Sequence, residues 1–102
     1  MSFDYGALDA ALAAAVGDDQ SLIAELRGAF LESAKRQVDL LHRARCDANW
    51  EYAALRLKGL AASFGATHVL NLAQEAATAA PGEPTVLRKL ERAIEAIEEH
   101  RD

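Results

Sequence analysis

Between residues 20 and 44, apolar side chains recur at steps of three and four positions, which is the spacing of one face of an α-helix. The same period returns elsewhere, and it is interrupted at Gly17, at Gly65 and at the Pro-Gly-Glu-Pro run of residues 81–84. Glycine commonly ends helices, and two closely spaced prolines exclude them. Alanine and leucine dominate the apolar content, and aromatic residues make up only 6%. This composition favours helix over a β-sandwich or barrel, so the sequence predicts an all-α protein.

The periodic segments and their breakers predict five helices. Asp18 and Asp19 are expected to cap the second helix. Asp47 or Asn49 is expected to cap the third, and Thr85 the fifth. The predicted helices run over about Asp4–Val16, Gln20–Ala44, Trp50–Phe64, Thr67–Ala80 and from Thr85 onward.

The length of 102 residues suits one domain spanning residues 1–102. Short connections between helices favour antiparallel neighbours, so the second to fifth helices are predicted to form an up-down-up-down four-helix bundle. The shorter first helix would lie across one end of the bundle or flank it. Inward-facing side chains are predicted at Leu22, Ile23, Leu26, Phe30, Leu31, Ala34, Val38 and Leu41, at Val69, Leu72, Ala73, Ala76 and Ala80, and at Val86, Leu87, Leu90, Ala93, Ile94 and Ile97.

Charge and composition exclude several classes of function. The net charge of −5 and the absence of a basic cluster argue against nucleic acid and anionic lipid as partners. No apolar run reaches the roughly 18 residues that span a bilayer, and Asp4 and Asp9 interrupt an N-terminal segment that does not resemble a signal peptide. The single cysteine, Cys46, cannot form an internal disulfide, and the histidines show no metal-ligand spacing. We therefore expect a cytoplasmic protein without metal or cofactor.

The outward side of the third helix is unusual for a bundle. At about 100° per residue, Leu55 points away from the predicted core arc of Trp50, Ala53, Leu57, Leu60, Ala61 and Phe64. Gly59 and Ala62 flank Leu55 on the next turns, with Tyr52 one turn before. Gly59 costs about 0.5–1 kcal/mol relative to alanine in a helix interior, which close approach by another backbone would explain. Single exposed leucines are also ordinary, so the spacing alone leaves open whether this is an interaction patch.

The stretch Trp50–Ala66 resembles the signature of histidine phosphotransfer (HPt) domains, Ala-His-x-Leu-Lys-Gly-x-Ala-x-x-x-Gly-Ala, preceded by a Trp a few residues upstream. The decisive departure is Leu55, which stands where the family carries its phosphoaccepting histidine. Leucine has no nucleophilic atom and cannot form a phosphohistidine. The matching positions are Ala54, Leu57, Lys58, Gly59, Ala61, Gly65 and Ala66.

The resemblance implies a docking role without catalysis. In the family, the histidine exchanges a phosphoryl group with the aspartate of a receiver domain, the lysine offsets phosphoryl charge, and the glycine gives the receiver room. We therefore expect a non-enzymatic module of a phosphorelay, a monomer or weak dimer, that binds a response-regulator receiver domain or a histidine kinase. The residues expected to bind this partner are Tyr52, Leu55, Arg56, Lys58, Gly59 and Ala62.

Two alternatives stay open at the level of sequence. The chain could be a structural, self-associating bundle that uses the Leu55 patch as its interface. It could also transfer phosphate through another histidine. Among His42, His68 and His100, none is followed by the Lys-Gly pattern. His68, at the start of the fourth helix, is the best of the three.

Overall fold

The computed structural model describes residues 4–99, which form five α-helices without any strand. The prediction of an all-helical protein is confirmed. The Cα radius of gyration is 13.4 Å, close to the value of about 13 Å expected for a compact domain of this size. The helices are α1 (Asp4–Val16), α2 (Gln20–Arg43), α3 (Asp47–Phe64), α4 (Thr67–Ala77) and α5 (Pro84–Glu99).

Four of the helices, α2 to α5, pack against one another in a closed cycle. Helix α2 packs against α3, α3 against α4, α4 against α5, and α5 against α2, whereas no Cα atoms of α2 and α4, or of α3 and α5, lie within 8 Å of each other. Helix α1 contacts all four others. Such a cycle is what an up-down-up-down bundle requires, but the direction of the helices and the bundle arrangement stay predictions.

The core follows the predicted helical stripes closely. All six residues predicted to face inward on α5 are buried, from Val86 to Ile97. Helix α1 adds Leu8 and Leu12 to the same core. Two predictions are wrong: the side chain of Leu22 is 37% exposed in the first turn of α2, and Ala80 is exposed because it lies beyond the end of α4.

Helices α3 and α4 differ in length from their predicted bounds. Helix α3 begins at Asp47, and Cys46 is its extended N-cap residue without a side-chain capping bond, so the predicted caps at Asp47 and Asn49 are wrong. Helix α4 ends at Ala77 instead of Ala80. Its C-cap residue, Thr78, donates a hydrogen bond from Oγ1 to the carbonyl of Glu75. A terminal carbonyl of α4 is thereby satisfied within the last turn.

Helix α5 begins at Pro84, one residue before the predicted cap at Thr85. The carboxylate of Glu83 accepts hydrogen bonds from the backbone N–H groups of Thr85 at 3.1 Å and Val86 at 3.3 Å. Proline is favoured at the first helical position because its missing N–H would have no intrahelical partner there. The prediction of Thr85 as the cap is therefore wrong, and Glu83 performs that role.

The junction between α3 and α4 depends on Gly65, a predicted helix stop that the structure confirms. Gly65 has φ +74° and donates its N–H to the carbonyls of Ala61 and Ala62. A Cβ atom at Gly65 would lie 2.5 Å from the Cβ of Ala11 on α1. Glycine is required here both by the left-handed backbone and by the close approach of α1.

Among residues 4–99, no helix is long and apolar enough to cross a membrane.

Candidate docking face on the third helix

The rotation of α3 about its own axis is set by the side that it buries. Trp50, Ala53, Ala54, Leu57 and Ala61 are buried on this helix. The indole Nε1–H of Trp50 donates a 2.7 Å hydrogen bond to the carbonyl of Ala76, near the end of α4. A buried indole N–H needs such a partner, and this bond ties the first turns of α3 to α4.

With that side buried, the opposite side of α3 carries the residues predicted to bind a partner. Leu55 is 50% exposed and Tyr52 is 59% exposed. Their outward position therefore agrees with the helical-wheel expectation, while their role stays a prediction. We call this surface the α3 face; Arg56, Gly59 and Ala62 are also exposed on it, and Lys58 is half-buried at its edge.

Gly59 has no structural explanation within the described part of the chain. A Cβ atom built on it would meet nothing within 4 Å, since no other helix approaches there. In addition to its helical backbone bonds, the Gly59 carbonyl accepts a 3.0 Å hydrogen bond from the hydroxyl of Ser63 on the same helix. The α3 face thus presents a stretch of bare backbone one turn after Leu55.

Two cations accompany the apolar residues of the α3 face. The guanidinium of Arg56 donates a 2.9 Å hydrogen bond to the Tyr52 hydroxyl and lies 5.5 Å from the centre of the Tyr52 ring. The ammonium of Lys58 forms no hydrogen bond or ion pair with any residue between 4 and 99. The face therefore combines an exposed leucine, a glycine and a lysine whose charge is not compensated locally.

The structure adds a neighbour that sequence reasoning missed. Leu40 of α2 is 40% exposed and lines, together with Tyr52 and Arg56, a groove between α2 and α3. Leu40 lies outside the predicted apolar stripe of α2, and an off-stripe leucine was the signal that could have indicated it. Its proximity to Tyr52 could not be derived from either helix alone.

Leu55 itself carries no nucleophile, so phosphotransfer from this chain would need one of its histidines. His42 is paired with Glu91 of α5, on another side of α2. His68 is exposed in the first turn of α4, beyond the end of α3. The last residue of α3, Phe64, lies about 14 Å along the helix axis from Leu55. His100 lies outside the described residues.

A metal centre is also not indicated. Among residues 4–99, no group of three or more His, Cys, Asp or Glu side chains could hold a metal ion. The thiol of Cys46 is free and exposed, and it belongs to no such group among these residues.

Comparison with known proteins does not identify the chain: no family model, no curated protein and no solved structure matches it.

Proposed function

We propose that this chain is a pseudo-phosphotransfer module, an HPt-like antiparallel four-helix bundle that binds a receiver domain or a histidine kinase without carrying phosphate. The observation that carries the proposal is the α3 face itself. Leu55 is half-exposed at the phosphoacceptor position, with Lys58 and Gly59 following it in the register of the HPt signature. The cycle of contacts among α2, α3, α4 and α5 supports the bundle arrangement.

The α3 face offers a receiver domain three separate interactions. Burying the exposed half of Leu55 would contribute roughly 1 kcal/mol to binding. Gly59 lets a partner approach the helix backbone, because nothing of this chain occupies that space. Lys58 attracts the acidic phosphorylation pocket expected of a receiver domain, and opposite charges across an interface favour the encounter.

Calorimetric titration of receiver domains and histidine kinases from the source organism tests docking. The wild-type chain is expected to bind at least one of them, and Gly59→Arg is expected to abolish that binding by filling the open space. Gly28→Arg is the matched control. Gly28 is also an exposed helical glycine with nothing within 4 Å of a Cβ, but it lies on α2. Absence of binding to every receiver and kinase would overturn the proposal.

A gain-of-function variant tests the resemblance to phosphotransfer domains. In Leu55→His, a ring nitrogen is expected to attack the aspartyl phosphate of the bound receiver. The new N–P bond forms as the P–O bond to aspartate breaks, and the aspartate leaves as a carboxylate. After incubation with a receiver domain that carries labelled aspartyl phosphate, acid-labile label should appear on Leu55→His and not on the wild-type chain. Label in the wild-type chain that disappears in His68→Ala would instead support phosphotransfer through His68.

The exposure of Leu55 and Tyr52 also favours self-association as a second candidate. Sedimentation velocity over a range of concentrations distinguishes it from docking. A dimer that Gly59→Arg dissociates and Gly28→Arg does not would assign the α3 face to a second copy of the chain. A monomer at high concentration would exclude this candidate.

A further inference from the structure

A groove between α2 and α3 shares Tyr52 and Arg56 with the α3 face and extends onto residues of α2 that the proposed function does not use. It has a volume of about 480 Å³. We call it the α2–α3 groove and define it by its lining residues, which are Arg36, Gln37, Asp39, Leu40, Arg43, Tyr52 and Arg56.

The floor of the α2–α3 groove is apolar and exposed. Leu40 and Tyr52 are two of the four large apolar side chains that are exposed in the described part of the chain. They come from different helices and meet at this groove. Exposed apolar side chains that cluster across two elements, with polar groups around them, mark interaction sites more often than isolated ones do.

The rim of the groove is basic on a chain that is acidic overall. Three guanidinium groups, those of Arg36, Arg43 and Arg56, line the groove against the single carboxylate of Asp39. The net charge of the whole chain is −5. This inversion of sign provides charge complementarity for a carboxylate-bearing partner.

The arginines of the rim are available for exchange with a partner. Arg36 pairs with Glu32 at 3.6 Å and Arg43 with Asp39 at 3.0 Å, each within α2 and on the surface. Such exposed pairs are weak because water screens them, so a carboxylate of a partner can replace them. Arg56 is already oriented by the hydroxyl and ring of Tyr52.

From these features we propose that the α2–α3 groove binds an acidic amphipathic helix of a partner protein. Apolar side chains of that helix would contact Leu40 and Tyr52, and its carboxylates would pair with Arg36, Arg43 and Arg56. An anionic membrane or a nucleic acid is disfavoured because the chain as a whole would be repelled by a surface of dense negative charge. This inference goes beyond the proposed function, since the helix need not belong to a receiver domain.

Fluorescence anisotropy with a synthetic peptide tests the proposal. The probe is a fluorescein-labelled peptide of about 15 residues, with leucines at i, i+3, i+4 and i+7 and glutamates at the flanking positions. The control peptide carries lysine in place of every glutamate. The wild-type chain is expected to bind the glutamate peptide and not the lysine peptide.

Charge reversal locates the binding. The double variant Arg43→Glu/Arg56→Glu is expected to weaken binding of the glutamate peptide by roughly tenfold or more, because like charges then face each other. Arg88→Glu/Arg92→Glu is the matched control, since it reverses the same number of charges at two exposed positions of α5 that do not line the groove. Both changes are on the surface, and an unchanged helical circular dichroism spectrum confirms that the variants fold.

Three results would overturn the inference. They are absence of binding to the glutamate peptide, binding that the double variant retains, and a preference for vesicles of equal phosphatidylcholine and phosphatidylserine that the double variant loses.

Gly59→Arg separates this inference from the proposed function, because Gly59 does not line the groove. Binding to the peptide but to no receiver domain or kinase would support the groove as a binding site and contradict the phosphorelay proposal. Binding to a receiver domain or kinase but not to the peptide would support the phosphorelay proposal and contradict the groove inference.

Discussion

At the scale of single residues, a comparison of Gly65 with Gly17 tests how closely α1 packs against the end of α3. Both have positive φ, +74° and +78°, but only Gly65 faces another side chain, the Cβ of Ala11. Each Gly→Ala change is expected to cost about 1–2 kcal/mol for the left-handed backbone. Gly65→Ala is expected to cost a further 1–3 kcal/mol, approximately, for overpacking.

Urea unfolding followed by circular dichroism measures both changes. In a background of Ala11→Gly, which by itself costs about 0.5–1 kcal/mol as a glycine inside a helix, Gly65→Ala is expected to cost no more than Gly17→Ala, because the atom that the new Cβ would meet is gone. Equal destabilisation by Gly65→Ala and Gly17→Ala would contradict the close contact between α1 and the end of α3.

Gly59 gives the opposite prediction. Because no atom of the described chain lies within 4 Å of its Cβ position, Gly59→Ala is expected to stabilise the free protein by about 0.5–1 kcal/mol. Gly28→Ala, at the other open helical glycine, should stabilise it by a similar amount. Denaturant midpoints of the two variants check this, and destabilisation by Gly59→Ala would show that the fold itself requires the glycine.

At the scale of elements, the start of α5 depends on one carboxylate. The backbone hydrogen bond from Thr85, aided by that from Val86, lowers the pKa of Glu83 below its ordinary value of 4.5. A pKa that is lower in the folded state contributes stability above the ordinary value, and this stability is lost as the pH falls through the folded-state pKa. Glu83→Gln is therefore expected to destabilise the protein more at about pH 7 than at about pH 3.

Thermal unfolding of the wild type and Glu83→Gln at the two pH values measures this difference. Glu25→Gln is the control, since it removes an exposed carboxylate of α2 that holds no helix end. A gap between wild type and Glu83→Gln that widens on acidification would contradict the sign of the effect.

The helices themselves were predictable from local periodicity, whereas several of their ends were not. Apolar spacing is a property of one segment, so the sequence predicts all five helices. An end depends on which backbone group finds a partner: Thr78 closes α4 before the predicted end, and Cys46 lets α3 begin before Trp50. Such capping choices involve single hydrogen bonds and are decided by small differences in free energy.

At the scale of the whole molecule, α1 provides a test of cooperativity. It contacts every other helix, and its Leu8 is fully buried in the common core. Leu8→Ala is expected to lower stability by about 2–5 kcal/mol. The unfolding curves from Trp50 fluorescence and from helical circular dichroism should shift together, as one cooperative domain requires.

Separation of the two curves in Leu8→Ala would instead indicate that α1 folds apart from the rest. Leu22→Ala is the comparison, because truncation of the partly exposed Leu22 should lower stability much less. A cost as large as that of Leu8→Ala would place Leu22 in the core after all.

The sequence by itself determined the helical class and the outward direction of Leu55, because both follow from a period of 3.6 residues within one helix. The tertiary structure alone decided which helices are neighbours. It brings Leu40 to Tyr52 across the α2–α3 groove, and it places Ala11 against Gly65. These contacts join residues that are distant in the chain, so they depend on how the side chains of all five helices pack together and not on the pattern of any one helix.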